Sequence, residues 1–86
     1  MALKQVEYRG MMISAGAFEV VGTLRFIVSL GIARDGIRAA DRKTKFFEPP
    51  SEDGLFDDAE EALESALAFA RAIIDGEVAG LTVDDL

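Results

Sequence analysis

DDAEEALESALAFARAIIDG, residues 57–76, is the stretch that decides the fold of this chain. Apolar side chains recur in it at spacings of three and four residues, which is typical of an amphipathic α-helix with one buried side. These apolar residues are Ala59, Leu63, Ala66, Leu67, Ala70, Ile73 and Ile74. The opposite side is mostly polar and consists of Glu60, Glu61, Glu64, Ser65, Ala68 and Arg71. The pattern predicts one long helix, long enough to cross a whole face of a small sheet.

Both ends of this helix carry local signals. Asp57 with Glu60, or Asp58 with Glu61, has the spacing of a capping box, in which two side chains bond free N–H groups of the first turn. Gly76 can adopt the left-handed conformation that often closes a helix. We therefore predict a capping box at the start of the helix and a glycine stop at its end.

The first half of the chain carries strand patterns. Residues 4–8 lead into a strand that continues through residues 11–18, and we expect Arg9-Gly10 to bend or bulge it, because glycine inside a strand pattern often marks such a spot. Gly22-Thr23 is predicted to be a tight turn. The next strand is the clearest, since large apolar residues alternate with small and mixed ones. Its predicted helix-facing residues are Leu24, Phe26, Val28, Leu30 and Ile32.

The remaining segments complete the prediction. Asp35-Gly36 is a strong turn signal, and residues 37–42 are ambiguous between a strand and a loop. Residues 43–47 form a further strand with Phe46 or Phe47 turned to the core, and the proline-containing residues 48–54 form a loop. Leu55-Phe56 anchors the chain before the helix, and Thr82 caps a short terminal helical turn that tucks Leu81, Val83 and Leu86 against the domain.

These elements predict a single domain, residues 1–86, of the α+β class. Its architecture is a three-stranded antiparallel meander packed on one long C-terminal helix, in the order β-β-β-α. The N-terminus lacks the pattern of a signal peptide, and the longest mostly apolar run, residues 26–33, is far shorter than the roughly 20 residues of a membrane helix. With no cysteine in the chain, we expect a cytoplasmic protein and no membrane partner.

Composition also restricts the chemistry. The chain has no histidine and no cysteine, which excludes Ser–His and Cys–His nucleophile systems and removes the preferred zinc ligands. Acidic side chains crowd the helix start, but on the polar side of a surface helix they are expected to be solvated, without the apolar pocket that a catalytic carboxyl requires. Asp53-Gly54 and Asp57-Asp58 lack the spacing of a calcium loop. We predict no catalytic residue, no metal and no cofactor, and hence no enzyme.

The charge is unevenly distributed along the chain. Net charge is −7, yet residues 1–50 hold eight basic and five acidic side chains, whereas residues 51–86 hold eleven acidic residues and only Arg71. Five basic residues, Arg34, Arg38, Arg42, Lys43 and Lys45, cluster around the second hairpin. They are candidate contacts for an anion or a nucleic acid, although an acidic domain disfavours a polyanionic partner. The basic hairpin and the acidic helix could also meet across subunits in a salt-sensitive oligomer.

A single helix covers only one side of the sheet. The other side is predicted to carry Met12, Phe18 and Ile27, with Ala33, among polar neighbours. Isolated exposed apolar residues are ordinary, but a contiguous apolar patch marks a protein partner or a homodimer, and we favour the second interpretation slightly.

The chain resembles a group of small uncharacterised bacterial proteins with a β-β-β-α order. Tyr8-Arg9-Gly10, Glu60-Glu61-Ala62-Leu63 and Ala72-Ile73-Ile74-Asp75-Gly76 carry the likeness. The resemblance implies the same fold and no particular activity. Two functions remain open: a non-enzymatic protein-interaction or self-associating module, and a nucleic-acid-associated regulator that uses the basic hairpin.

Overall fold

The computed structural model describes residues 2–49 and 55–86 and has an α+β fold. Four antiparallel strands form one sheet in the order β1-β2-β3-β4, and one helix packs on it. The elements are β1 (Ala2–Tyr8), β2 (Met11–Val20), β3 (Arg25–Arg34), a 3-10 turn (Ala39–Asp41), β4 (Thr44–Phe47) and α1 (Ala59–Ile74). The predicted antiparallel sheet under a C-terminal helix is confirmed, with four strands in place of three.

The additional strand arises at Arg9-Gly10, where the predicted bulge is wrong. Both residues have positive φ, 49° and 79°, which is the backbone of a two-residue hairpin turn whose twist matches that of the flanking strands. Tyr8 therefore pairs with Met11, and the chain reverses there. What the alternation pattern presents as one bent strand is two strands, β1 and β2.

The connection between β2 and β3 is also longer than predicted. Val20 pairs with Arg25, so that four residues, 21–24, form the turn. Within it the Thr23 hydroxyl donates a 2.7 Å hydrogen bond to the Val20 carbonyl, and Leu24 adopts a φ of 56°. Because Leu24 lies in this turn, its side chain is 79% exposed, and the prediction that it faces the helix is wrong.

After β3 the chain turns at Asp35-Gly36, where the Asp35 carboxylate accepts a 2.9 Å hydrogen bond from the Gly36 N–H. Residues 37–42 contain no strand and include the 3-10 turn. β4 is only four residues long, and within it Phe47 packs against the core while Phe46 is exposed.

The core lies between α1 and the two central strands. Its members are buried apolar residues from β2, β3, α1 and the flanking segments, namely Met11, Ile13, Ala15, Ala17, Leu30, Ile32, Phe56, Ala62, Leu63, Ala66, Leu67, Ala70, Ile73 and Val83. The predicted helix stripe is therefore confirmed in its middle, although Ala59 and Ile74 at its ends are only partly buried. Phe26 and Val28 also pack at the margin of the core.

The ends of the helix differ from one another. Asp58 is the N-cap, but within the described part of the chain its side chain makes no capping hydrogen bond, and Asp57 instead pairs with Arg25 at 3.1 Å. The predicted capping box is therefore wrong. At the other end Gly76 has a φ of 76°, and the N–H groups of Gly76 and Glu77 bond to carbonyls of the last turn, as in a Schellman motif.

The segments that flank the helix tie it to the sheet. Phe56 exchanges two 2.8 Å backbone hydrogen bonds with Phe26 and is buried, which confirms the predicted anchor. The C-terminal segment, residues 81–86, buries Val83 but forms a turn in place of the predicted helical turn, with the Thr82 hydroxyl accepting from the Asp84 N–H at 3.1 Å. Of the predicted loop 48–54, residues 50–54 lie outside the described residues.

Candidate interaction face

The side of the sheet opposite α1, called here the open face, is the candidate site. Strand register determines its members, because side chains alternate between the two faces of a sheet. Leu3 of β1 stands opposite Gly16 of β2, and Phe46 of β4 stands opposite Gly31 of β3. Each edge strand therefore places a large apolar residue beside a glycine of a central strand.

The two glycines let these large side chains lie close to the sheet. A Cβ built on Gly16 would come within 2.9 Å of Leu3 Cδ2 and 3.0 Å of Phe18 Cε2. A Cβ on Gly31 would come within 3.2 Å of Phe46 Cε1. Leu3 with Phe18 thus forms one apolar ridge over Gly16, and Phe46 forms a second over Gly31.

A groove with a volume of about 390 Å³ lies between the two ridges and is open to solvent. The floor of the groove consists of small residues, Ser14, Gly16, Ser29 and Gly31. Because their side chains are short, a binding partner could come close to the backbone of the two central strands. The apolar side chains that surround it are largely exposed: 69% for Leu3, 72% for Phe46 and 46% for the neighbouring Ile27. This is a contiguous apolar surface, in contrast to the single exposed residues that are ordinary on proteins.

The register places all three predicted interface residues on the open face. Phe18 pairs with Ile27, and Met12 stands opposite Ala33. Met12 and Phe18 are partly buried, whereas Ala33 is 5% exposed. Sequence reasoning missed Leu3 and Phe46, the two large apolar residues of the groove that are exposed. Leu3 belongs to a strand that the alternation pattern did not separate, and the orientation of Phe46 depends on how the preceding loop sets the register of β4.

Charged residues stand at the periphery of the open face. Among the described residues, the charged side chains on this side are Glu7 with Asp35 at one end, Glu48 beside β4 and the Arg25–Asp57 pair at the other end. A side-chain hydrogen bond with Asp35, and the charge of that carboxylate, raise the pKa of Glu7. Within the described part of the chain, the centre of the face thus carries no charge that a partner would need to neutralise.

The predicted basic cluster is largely engaged by the chain itself. Arg34 Nε donates a 2.8 Å hydrogen bond to the backbone oxygen of Leu86. Lys45 Nζ donates to the Thr82 carbonyl at 2.9 Å and lies 3.1 Å from Asp85 Oδ1, and this hydrogen bond lowers the pKa of the Asp85 carboxyl. Arg42 donates to the carbonyl of Ile37.

The other two basic residues, Arg38 and Lys43, are exposed. Of the five predicted contacts, three therefore have partners within the chain and two are exposed. Two of them bind the C-terminal segment to the sheet, and one braces its own loop.

A second polar cluster joins the first turn to the end of the helix. The Tyr8 hydroxyl donates a 2.8 Å hydrogen bond to Asp75 Oδ2, and Arg9 Nε lies 3.1 Å from Asp75 Oδ1. The bond to Asp75 raises the pKa of Tyr8. Because Asp75 sits at the negative end of the helix dipole, these two partners offset an unfavourable position for a carboxylate. The cluster also gives Arg9 a partner in its left-handed conformation.

Every acidic residue in the range 57–64 at the start of α1 is exposed to solvent. Among residues 2–49 and 55–86, no charged or polar residue is buried. In the same part of the chain no three acidic side chains come together as metal ligands. The calcium interpretation of Asp53-Gly54 falls outside the described residues. The helix that the structure describes is too short and too polar to cross a membrane.

Comparison of the chain with protein-family models, with curated proteins and with solved structures finds no match. The resemblance to small bacterial β-β-β-α proteins therefore stays a prediction.

Proposed function

We propose that this protein is a non-enzymatic protein-interaction module and that the open face is its binding surface. The observation that carries the proposal is the apolar groove between Leu3 and Phe46, whose side chains are 69% and 72% exposed. Leaving such a contiguous apolar surface in water is unfavourable by roughly 25 cal/mol for each Å² that a partner could cover. A surface of this kind, rimmed by polar groups, is typical of interaction sites.

The geometry favours a protein over a small molecule. Sites for small molecules generally enclose most of the ligand surface, and they hold a few convergent polar groups that orient it. The groove on the open face is bounded by protein only from below, by the sheet, and is open above. It would therefore contact a small ligand mainly on one side. A second protein surface, in contrast, supplies the missing layer.

The arrangement of charge weighs against nucleic acid as the partner. Lys and Arg side chains supply many phosphate contacts, whereas two of the five basic residues of the predicted cluster, Arg34 and Lys45, already bind the chain's own C-terminal segment. The whole chain carries a net charge of −7, which repels a polyanion. The absence of cysteine favours the cytoplasm as the compartment in which the module works.

Site-specific photocrosslinking tests the proposal. A photoreactive phenylalanine analogue replaces Phe46 on the open face in one variant, and Val21 in the matched control, because Val21 is 93% exposed but lies in the β2–β3 turn. Irradiation in the producing cells should give discrete protein adducts from position 46 that position 21 does not give. Equal adduct patterns from the two positions, or none from position 46, would refute the open face as a binding surface.

A further inference from the structure

Resting on the proposed function, we infer that the occupant of the open face is a second copy of this chain, packed sheet against sheet in a symmetric dimer. Such packing turns a two-layer molecule into a four-layer one, with the two helices outside and the two open faces inside. Antiparallel sheets stack face to face in this way at a spacing of about 10 Å, with side chains of the two inner faces interdigitating.

The area of the open face suits this occupant. The four strands together hold 31 residues. At about 3.3 Å per residue along a strand and about 4.8 Å between neighbouring strands, the sheet covers roughly 490 Å². Two such faces bring together about 980 Å², close to the roughly 1,000 Å² at the lower end of specific interfaces. The open face is thus large enough for a dimer of modest affinity, which forms as the protein concentration rises.

The relief of the open face is self-complementary. Two apolar ridges, Leu3 with Phe18 and Phe46, stand on opposite sides of a floor made of glycine and serine. When two copies meet face to face, a ridge of one copy lies beside a ridge of the other and above its low floor. Phe46 of each copy then enters the groove of the partner subunit, where its exposed side loses contact with water.

The salt dependence of association distinguishes this dimer from one in which the basic hairpin of one copy meets the acidic helix of the other. Each copy carries a charge of −7, and the charges on the open face lie at its periphery, so two copies repel one another only at long range. Added salt screens that repulsion and therefore tightens a dimer formed by the open faces. A dimer held by the basic hairpin of one copy and the acidic helix of the other would weaken in salt.

Sedimentation velocity and light scattering on the unlabelled chain, from low micromolar to millimolar concentration and at low and high salt, test the inference. The compared proteins are the native chain, Phe46→Glu, Phe46→Ser and the control Val21→Glu, each checked for its fold by circular dichroism. We expect the native chain and Val21→Glu to reach twice the monomer mass of 9.3 kDa, more readily at high salt. Both Phe46 variants should weaken the dimer about 30-fold or more, as expected for a central aromatic anchor.

Three results would overturn the inference: a 9.3 kDa species at every concentration, a dimer that Phe46→Glu and Phe46→Ser leave intact, or a dimer that dissociates in high salt. The photocrosslinking experiment distinguishes failure of the dimer inference from failure of the proposed interaction function. Adducts from position 46 with a different protein, in a chain that is monomeric alone, would refute the second copy and retain the open face as an interaction surface.

Discussion

Leu67→Ala provides the most direct test of how the helix holds this fold together. Leu67 lies in the middle of α1, is 1% exposed and belongs to the core cluster. The matched control is Leu24→Ala, because Leu24 undergoes the same chemical change in the β2–β3 turn at 79% exposure. The comparison isolates burial, since the number of atoms removed is identical.

The structure gives the magnitude of the expected loss. Leu→Ala removes three carbon groups at about 0.8 kcal/mol each, so the transfer contribution is about 2.4 kcal/mol. A cavity that the sheet and helix cannot fully close adds to this, and we expect a total of about 3 to 4 kcal/mol. A domain of 86 residues has about 4–13 kcal/mol of stability in all, so the loss is a large part of the whole. Leu24→Ala should change stability by less than about 0.5 kcal/mol.

Urea unfolding followed by far-ultraviolet circular dichroism measures both variants, since the chain contains no tryptophan for fluorescence. All proteins are compared at one concentration, because self-association adds to apparent stability. The urea dependence of the unfolding free energy should be unchanged, while the midpoint falls for Leu67→Ala alone. A loss below about 1 kcal/mol for Leu67→Ala, or an equal loss for Leu24→Ala, would refute the assigned core.

Three further predictions follow from the turns and the titrating side chains. Leu24→Asn should stabilise the protein by about 0.5–1 kcal/mol in the same urea assay, because asparagine tolerates the positive φ of 56° better than leucine, and an unchanged midpoint would contradict this. The raised pKa of Glu7 means that the folded state binds the Glu7 proton more tightly than the unfolded state does. The stability of the protein therefore falls as pH rises from the ordinary value of 4.5 through the raised pKa. Glu7→Gln should flatten this fall when urea midpoints are measured across the pH range, and an unaltered slope would count against the Glu7–Asp35 contact. The lowered pKa of Asp85 acts in the opposite direction, since the stabilisation from Asp85 is present above the ordinary value of 3.8 and is lost as pH falls through the lowered pKa. Asp85→Asn should reduce the loss of stability in acid and speed amide hydrogen exchange in residues 82–86. Exchange rates equal to those of the native protein would contradict the role of the Lys45 contact.

Local patterns predicted the elements whose determinants are close together in the chain. The 3.6-residue periodicity predicted α1 and its buried side, and Leu63, Leu67 and Ile73 are buried as expected. Gly76 closes the helix, and Asp35-Gly36 turns the chain. Alternation also placed Met12, Phe18 and Ile27 on the open face, because a strand exposes its two sides in turn whatever surrounds it.

The errors occur where residues distant in sequence compete for the same side chain or backbone. Arg9 adopts a left-handed turn conformation that is uncommon for arginine, and its partner Asp75 lies at the far end of the helix. The capping box is lost at the point where Asp57 pairs with Arg25 of β3. The basic cluster stays a predicted contact surface, and two of its members, Arg34 and Lys45, bind the C-terminal segment, which is distant in sequence.

By itself, then, the sequence determined an amphipathic helix, a set of alternating strands and the absence of thiol and imidazole chemistry, since periodicity and composition are properties of the chain alone. Only the tertiary structure decided that the sheet has four strands, that Leu3 and Phe46 stand exposed beside glycines, and that Arg34 and Lys45 bind the C-terminal segment. Such outcomes depend on spatial contacts between residues that are far apart in sequence, and the Tyr8–Asp75 hydrogen bond, for example, joins residues 67 positions apart. No local pattern encodes such distances, because they exist only after the helix has packed on the sheet.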